Sequence, residues 1–126
     1  MKRGDIYLAK LTTNHNNVQE GIRPVIIVQN ESGNTFAPTV IVCPLTSVDK
    51  KRLPTHLMLY RNSGGLSKDS IVLCEQIFTM NKEDLIQYIG RLPQNLFYKL
   101  NECLKTSLGL LIPRKEFYDK RKRFIR

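Results

Sequence analysis

Arg23 and Thr46 are the two residues of this chain best suited to act together on a phosphodiester. A guanidinium grips two phosphate oxygens with its planar fork, and a threonine hydroxyl can donate to a third. Such a pair would hold the group and stabilise extra negative charge on phosphorus. Whether they meet depends on the segments between them. Pro24-Val25-Ile26-Ile27-Val28-Gln29-Asn30 and Thr39-Val40-Ile41-Val42-Cys43-Pro44-Leu45 both read as β-branched, apolar strands. Residues 31–38, with Gly33-Asn34 and Pro38, read as the turn of a hairpin joining them. If Asn30 pairs with Thr39, partner numbers keep a constant sum, and Arg23 and Thr46 share it. They would face one another at the hairpin's free ends, about 5 Å apart strand to strand, and a bulge would shift that by only a residue.

Pro24 reinforces this geometry. It steers Arg23 into extended backbone and, lacking an amide hydrogen, belongs at a strand start. Taken alone, a charged residue at a strand end is more often simply solvated. The hairpin register narrows that gap.

Several kinds of chemistry lack their residues. There is no glycine-rich phosphate loop ahead of a helix, no serine nucleophile elbow, and no His, Cys, Asp and Glu cluster at metal-ligand spacing. No cofactor or metal is expected. His15 and His56 are the only histidines; an acid–base pair is conceivable, but His56 falls within a strand pattern and reads as a structural or hydrogen-bonding residue. Cleavage of RNA by its own 2′-hydroxyl fits what is present, because the nucleophile comes with the substrate and the protein need only align it and stabilise charge. Arginine's high pKa makes it a poor base, so the 2′-hydroxyl proton is left to Glu20, Glu75 or water.

The chain has 126 residues and a net charge of +9, enough for one domain with a real core. Residues 113–126 hold seven basic residues against two acidic, whereas the first 112 hold thirteen against nine. A basic body with a more basic tail suits a polyanion such as nucleic acid, although the tail by itself reads equally well as a solvated appendage. No run approaches the roughly 20 apolar residues of a membrane span, and Met1-Lys2-Arg3-Gly4-Asp5 does not open a signal peptide. The expectation is a cytoplasmic protein with no membrane partner. Cys43, Cys74 and Cys103 each sit in an apolar pattern without CxxC spacing, and read as buried thiols rather than a disulfide framework or zinc site.

Further elements follow from pattern. Strands are expected at 5–11, 55–60 and 70–77, with a shorter one at 87–91, and a polar, amide-rich loop at 12–21 has the character of a segment that closes over a ligand. Asn62-Ser63-Gly64-Gly65 marks a turn, and Asn81 is placed to cap a short helix through Leu85. Leu96, Leu100, Cys103, Leu104, Ser107, Leu108 and Leu111 recur at helical spacing, with Pro113 as the stop. The fold class expected is mainly β with appended helices: a small curled sheet or barrel with one C-terminal packing helix.

Lys2-Arg3-Gly4-Asp5-Ile6-Tyr7, Gln19-Glu20-Gly21-Ile22-Arg23-Pro24-Val25, Gln29-Asn30, Pro38-Thr39-Val40-Ile41-Val42, Leu45-Thr46-Ser47, Leu53-Pro54-Thr55-His56, residues 68–77 and Ser107-Leu108-Gly109-Leu110 occur in an order that resembles the MazF/PemK toxin family, in its Gram-positive MazF-like branch. Each string is weak, but together they run in register from Lys2 to about Ile112. The resemblance implies an SH3-like β-barrel of the CcdB/MazF/PemK type over residues 1–112, followed by a basic extension at 113–126. It implies a homodimer and a toxin of a type II toxin–antitoxin system. The activity implied is sequence-specific, metal-independent cleavage of single-stranded RNA, leaving 2′,3′-cyclic phosphate and 5′-hydroxyl ends. A cognate acidic antitoxin would occupy the RNA groove.

The resemblance further implies Arg23 and Thr46 as the catalytic pair, and Asn17, Gln19, Glu20, Glu75 and Gln76 as RNA contacts. The PemK side of the family resembles a variant mechanism with a loop histidine and a second arginine; Asn17 and Leu73 stand at those positions, so that mechanism is not carried over. The extension has no counterpart in the family, and extending the RNA groove, joining the dimer and being disordered are all open to it. Two rival readings are a CcdB-like toxin that inhibits a protein target such as gyrase, and a nucleic-acid-binding regulator that does not cleave.

Overall fold

The computed structural model describes residues 1–11, 21–47 and 52–110. Among these residues seven strands, β1 (Asp5–Leu11), β2 (Gly21–Ile27), β3 (Thr39–Ser47), β4 (His56–Leu59), β5 (Ser70–Leu73), β6 (Phe78–Asn81) and β7 (Leu85–Arg91), form one antiparallel sheet. Helix α1 (Glu31–Phe36) lies between β2 and β3, and α2 (Phe97–Leu108) follows β7. Among the described residues no helix is long and apolar enough to cross a membrane.

The sheet does not close into the expected SH3-like barrel. Its strands run β4-β5-β3-β2-β1-β7, with β6 paired to β3 off this path, and the end strands β4 and β7 do not pair. The fold is therefore a mixed one, a dominant antiparallel sheet with a C-terminal helix. Closure would require a ladder between the two ends. Instead, the chain leaving β4 turns through Asn62 (φ 71°), Gly64 (φ 64°) and Gly65 (φ 84°). These are left-handed conformations that break an extended strand. The turn presses backbone to backbone on β7 at Ile89 and Gly90, leaving no room for a Cβ at Gly65 or Gly90. A glycine turn occupies the place a closing ladder would need.

The β2–β3 pair follows the expected register: Val25, Ile26 and Ile27 face Pro44, Cys43 and Val42. Its connection is not a simple turn. Asn30 caps α1 by accepting the Gly33 amide at 2.8 Å, and Lys82 Nζ donates to the carbonyls of Gly33 (3.1 Å) and Asn34 (2.6 Å) at the other end. The short helix thus has both ends satisfied, one locally and one from the far side of the sequence.

Beyond Pro44, β3 passes to a new neighbour. Leu45 pairs with Val72 and Val42 with Phe78, so six residues along one side span only three of β3. The strand expected at 70–77 accordingly stops at Leu73 as β5; residues 74–77 form a turn that carries Glu75 and Gln76, and a further strand, β6, starts at Phe78. Asn81 is committed to the β6 ladder opposite Thr39, and its side chain caps nothing; only a single 3₁₀ turn, Lys82–Asp84, follows.

Alternation along the strands gives the sheet two buried faces. On one, Ile6, Ile26, Cys43, Leu45, Leu57, Leu59 and Val72 pack with Leu100 and Cys103 of α2. On the other, Ala9, Leu11, Val25, Ile27, Val40, Val42 and Met80 cluster together. α2 ends at Gly109 (φ 69°), whose left-handed backbone closes the helix before Pro113 can. Arg3 ties α2 to the sheet by donating to Asn101 Oδ1 at 2.7 Å and to the Val28 carbonyl at 3.1 Å. All three cysteines are free and buried. Burial pushes the Cys103 thiol up to about 11, and a hydrogen bond with Cys43, then burial, pushes Cys74 higher still. These are packing thiols, poor nucleophiles at neutral pH.

Candidate functional site

Pro44 and Pro24 mark where β2 and β3 part. Neither has an amide hydrogen for a ladder, and the β2–β3 pairing ends at Val25 opposite Pro44. One further step of two residues in the same register leads to Arg23 and Thr46. By alternation Arg23 shares a face with Val25 and Ile27, and Thr46 with Pro44 and Val42, so both belong to the same face of the sheet. Arg23 is exposed and held opposite Ala9 of β1; Thr46 is half-buried and held opposite Ile71 of β5. Each backbone is fixed by a strand other than the one that separates from it, which keeps two polar side chains at an open strand end.

The same face continues across β5 and β4. Thr46 pairs with Ile71, Ile71 with Met58, and Leu73 with His56, which places His56 one step along β4 on the face that carries Thr46. At this corner the turn after β5 brings Glu75 over the start of β4. Thr55 Oγ1 donates to Glu75 Oε1 at 3.0 Å, and His56 Nε2 lies 3.1 Å from Glu75 Oε2. The Leu53 amide donates to His56 Nδ1 at 3.2 Å, making Nδ1 the acceptor and leaving the ring proton on Nε2, directed at the carboxylate. Partial burial disfavours the Glu75 anion. Hydrogen bonds from its own amide, from His56 and from Thr55 outweigh that and hold its carboxyl below the usual range.

Gln76 sits beside it in the turn, its amide donating to the Leu73 carbonyl at 3.0 Å. Its side-chain Oε1 is buried and has no hydrogen-bond partner among the described residues. Leu73 is fully buried in the sheet. Asn17, Gln19 and Glu20, like the basic extension at 113–126, lie outside the described residues. Sequence reasoning did not single out Thr55, and it read His56 as a structural or hydrogen-bonding residue, which it is, without giving its partner. The signal for them was the Leu53-Pro54-Thr55-His56 string, but their link to Glu75 comes from pairing 19 and 20 residues away.

The family model for PemK-like, MazF-like toxins of type II toxin–antitoxin systems matches residues 2–108. The chain belongs to this family. A MazF endoribonuclease of Staphylococcus saprophyticus is 41% identical over 111 residues, 87% of this chain and 92% of the relative. The endoribonuclease EndoA of Bacillus subtilis is 40% identical over 112 residues, covering 88% and 97%. These matches place the chain in the Gram-positive branch of the MazF/PemK toxins. Among solved structures, a mycobacterial endoribonuclease in complex with its cognate antitoxin superposes with a TM-score of 0.76 at 27% identity, covering 90% of this chain and 99% of that one. The face that carries Arg23 and Thr46, with Glu75 in the turn at its corner, is the candidate site for the chain's endoribonuclease activity.

Proposed function

We propose that this MazF-family chain is a toxin that acts as a sequence-specific endoribonuclease on single-stranded RNA, with Arg23 and Thr46 as its catalytic pair. The observation that carries the reading is the placement of these two residues at the open end of β2 and β3, on one face, in a chain 41% identical to a MazF endoribonuclease. In the reaction, the substrate's 2′-hydroxyl attacks the adjacent phosphorus, the O2′–P bond forms and the P–O5′ bond breaks. The products are a 2′,3′-cyclic phosphate and a 5′-hydroxyl. Arg23 grips the non-bridging oxygens as charge develops, and the Thr46 hydroxyl donates to the same centre.

Glu75 is ill suited to be the base. Its carboxyl is held below the usual range and both its oxygens accept hydrogen bonds, so its affinity for a proton is low. The 2′-hydroxyl proton passes to water or to Glu20, and a proton from solvent completes the 5′-hydroxyl. Glu75 and Gln76 serve instead as contacts to RNA, as do Asn17, Gln19 and Glu20. No metal enters this scheme, because the nucleophile belongs to the substrate. A homodimer and an acidic antitoxin covering the RNA face complete the proposal; that a mycobacterial relative forms a complex with its cognate antitoxin supports an antitoxin partner.

The test is incubation of wild type and Arg23→Ala with a long single-stranded RNA in excess chelator, mapping the 5′ ends of the fragments. Discrete cuts at one short sequence by wild type, reduced at least about 10²-fold in a folded Arg23→Ala, are expected. Intact RNA with folded wild type, or normal cleavage by the variant, would overturn the assignment.

A further inference from the structure

Glu75 is one-third exposed at its side chain, whereas the His56 side chain beside it is 2% exposed. The imidazole therefore has almost no surface to offer a ligand, while the carboxylate it touches does. Both ring nitrogens are occupied, Nδ1 by the Leu53 amide and Nε2 by Glu75. Thr55 holds the other carboxylate oxygen. The Glu75 backbone amide donates to the carboxylate as well, and three bonds leave one of about four acceptor sites open on a side chain that is one-third exposed.

We propose that Thr55 and His56 are positioning residues that fix Glu75 as a rigid, outward-facing hydrogen-bond acceptor for donor groups of the RNA. This deepens the nuclease reading and rests on it. An unheld anion on an RNA-binding face is a liability, because it repels phosphates and a mobile carboxylate must be ordered when RNA binds. Clamping it during folding removes that ordering cost from the binding step, and aims it at a donor rather than at the backbone. The two bonds act on one carboxylate, so their effects should be expressed through Glu75 and nowhere else. The three-residue excess between β5 and β6 that pushes Glu75 out of the sheet, and the alternation that brings His56 to the face of Thr46, supply the geometry.

The test uses full-length wild type, Thr55→Val, His56→Gln, His56→Leu, Glu75→Gln and the His56→Leu/Glu75→Gln double variant. Each is checked by thermal melting and assayed for kcat and KM on a short RNA carrying the mapped site, in excess chelator. His56→Leu should raise KM about tenfold, the scale of one lost hydrogen bond to a charged group, with kcat little changed. His56→Gln, whose amide restores a donor near the position of Nε2, should recover most of that loss. Thr55→Val should raise KM about threefold, and it decides the matter if His56→Leu does not fold. In the Glu75→Gln background, His56→Leu should add nothing. The cleavage-site profile identifies the donor: loss of preference at one position in Glu75→Gln indicates a base amine, and an unchanged profile with raised KM indicates a ribose hydroxyl. His56→Gln no better than His56→Leu, an undiminished His56→Leu effect without the Glu75 carboxylate, or wild-type KM in Thr55→Val would each overturn the proposal. Failure of wild type to cut RNA would instead remove the nuclease reading, before any variant is compared.

Discussion

Replacing Thr46 with valine isolates one oxygen. Valine keeps the β-branched shape that suits a strand, and the backbone pairing of residue 46 with Ile71 needs no side chain, so β3 and β5 should stay as they are. What disappears is the single donor that the proposed mechanism directs at the phosphorane. Removing one preorganised donor from a water-excluded site typically costs about 10²–10³ in kcat. Thr46 is only half-buried, so solvent screens part of its field and the lower end applies, about 10²-fold. KM should move little, because the hydroxyl gains most of its value as charge develops rather than on ground-state binding. The assay is single-turnover cleavage of a short RNA carrying the mapped site, protein in excess, with melting temperature as the control. A folded Thr46→Val protein cleaving within about threefold of wild type would refute the role given to Thr46, because losing a donor that stabilises the transition state typically costs about 10²-fold or more.

Two further outcomes test the scaffold beneath the site. Leu100→Ala removes a fully buried side chain between α2 and the sheet and should lower stability by about 2–5 kcal/mol, read as a shifted urea midpoint at unchanged slope; a loss below about 1 kcal/mol would show that α2 is not part of the core. The Glu75 carboxyl is held below its usual range, so its stabilising contribution is present above the unfolded pKa of about 4.3 and is lost as pH falls through the folded value. Wild type should therefore melt higher than Glu75→Gln near neutral pH, with the gap closing under acid; a gap that persists unchanged to low pH would contradict the hydrogen-bonded anion.

Much of this could be read from the chain because it is local. The β2–β3 register follows from two β-branched runs and a constant partner sum, and it survived an error in what joins them. Gly33-Asn34 reads as a turn, yet the segment is helical, since Asn30 caps one end and Lys82, 49 residues beyond Gly33, satisfies the other. A hairpin's pairing depends on the strands agreeing with each other, so the connection could be misread without moving Val25 from Pro44. The C-terminal helix was legible from its apolar spacing, but its end was set by a glycine free to adopt φ 69° rather than by the proline beyond it.

The parts that escaped are those in which distant segments decide the outcome. Whether a sheet closes depends on what the two end strands meet, and here Gly64 and Gly65 turn against Gly90 where a barrel would need a ladder. Strand periodicity is identical in an open and a closed sheet, so it could not separate them. The clamp on Glu75 escaped for the same reason. Thr55 and His56 reach it only because β4 pairs with β5 and the chain then spends three extra residues before β6, a mismatch visible in neither segment alone. The proposed catalytic pair and the clamp thus have different structural origins: one follows the β2–β3 register, with β1 and β5 holding its two members, the other depends on how three strands share β3. Changes in the β5–β6 turn, such as removing one of the excess residues, should therefore disturb Glu75 and RNA affinity while leaving the backbone positions of Arg23 and Thr46, and the kcat they support, in place.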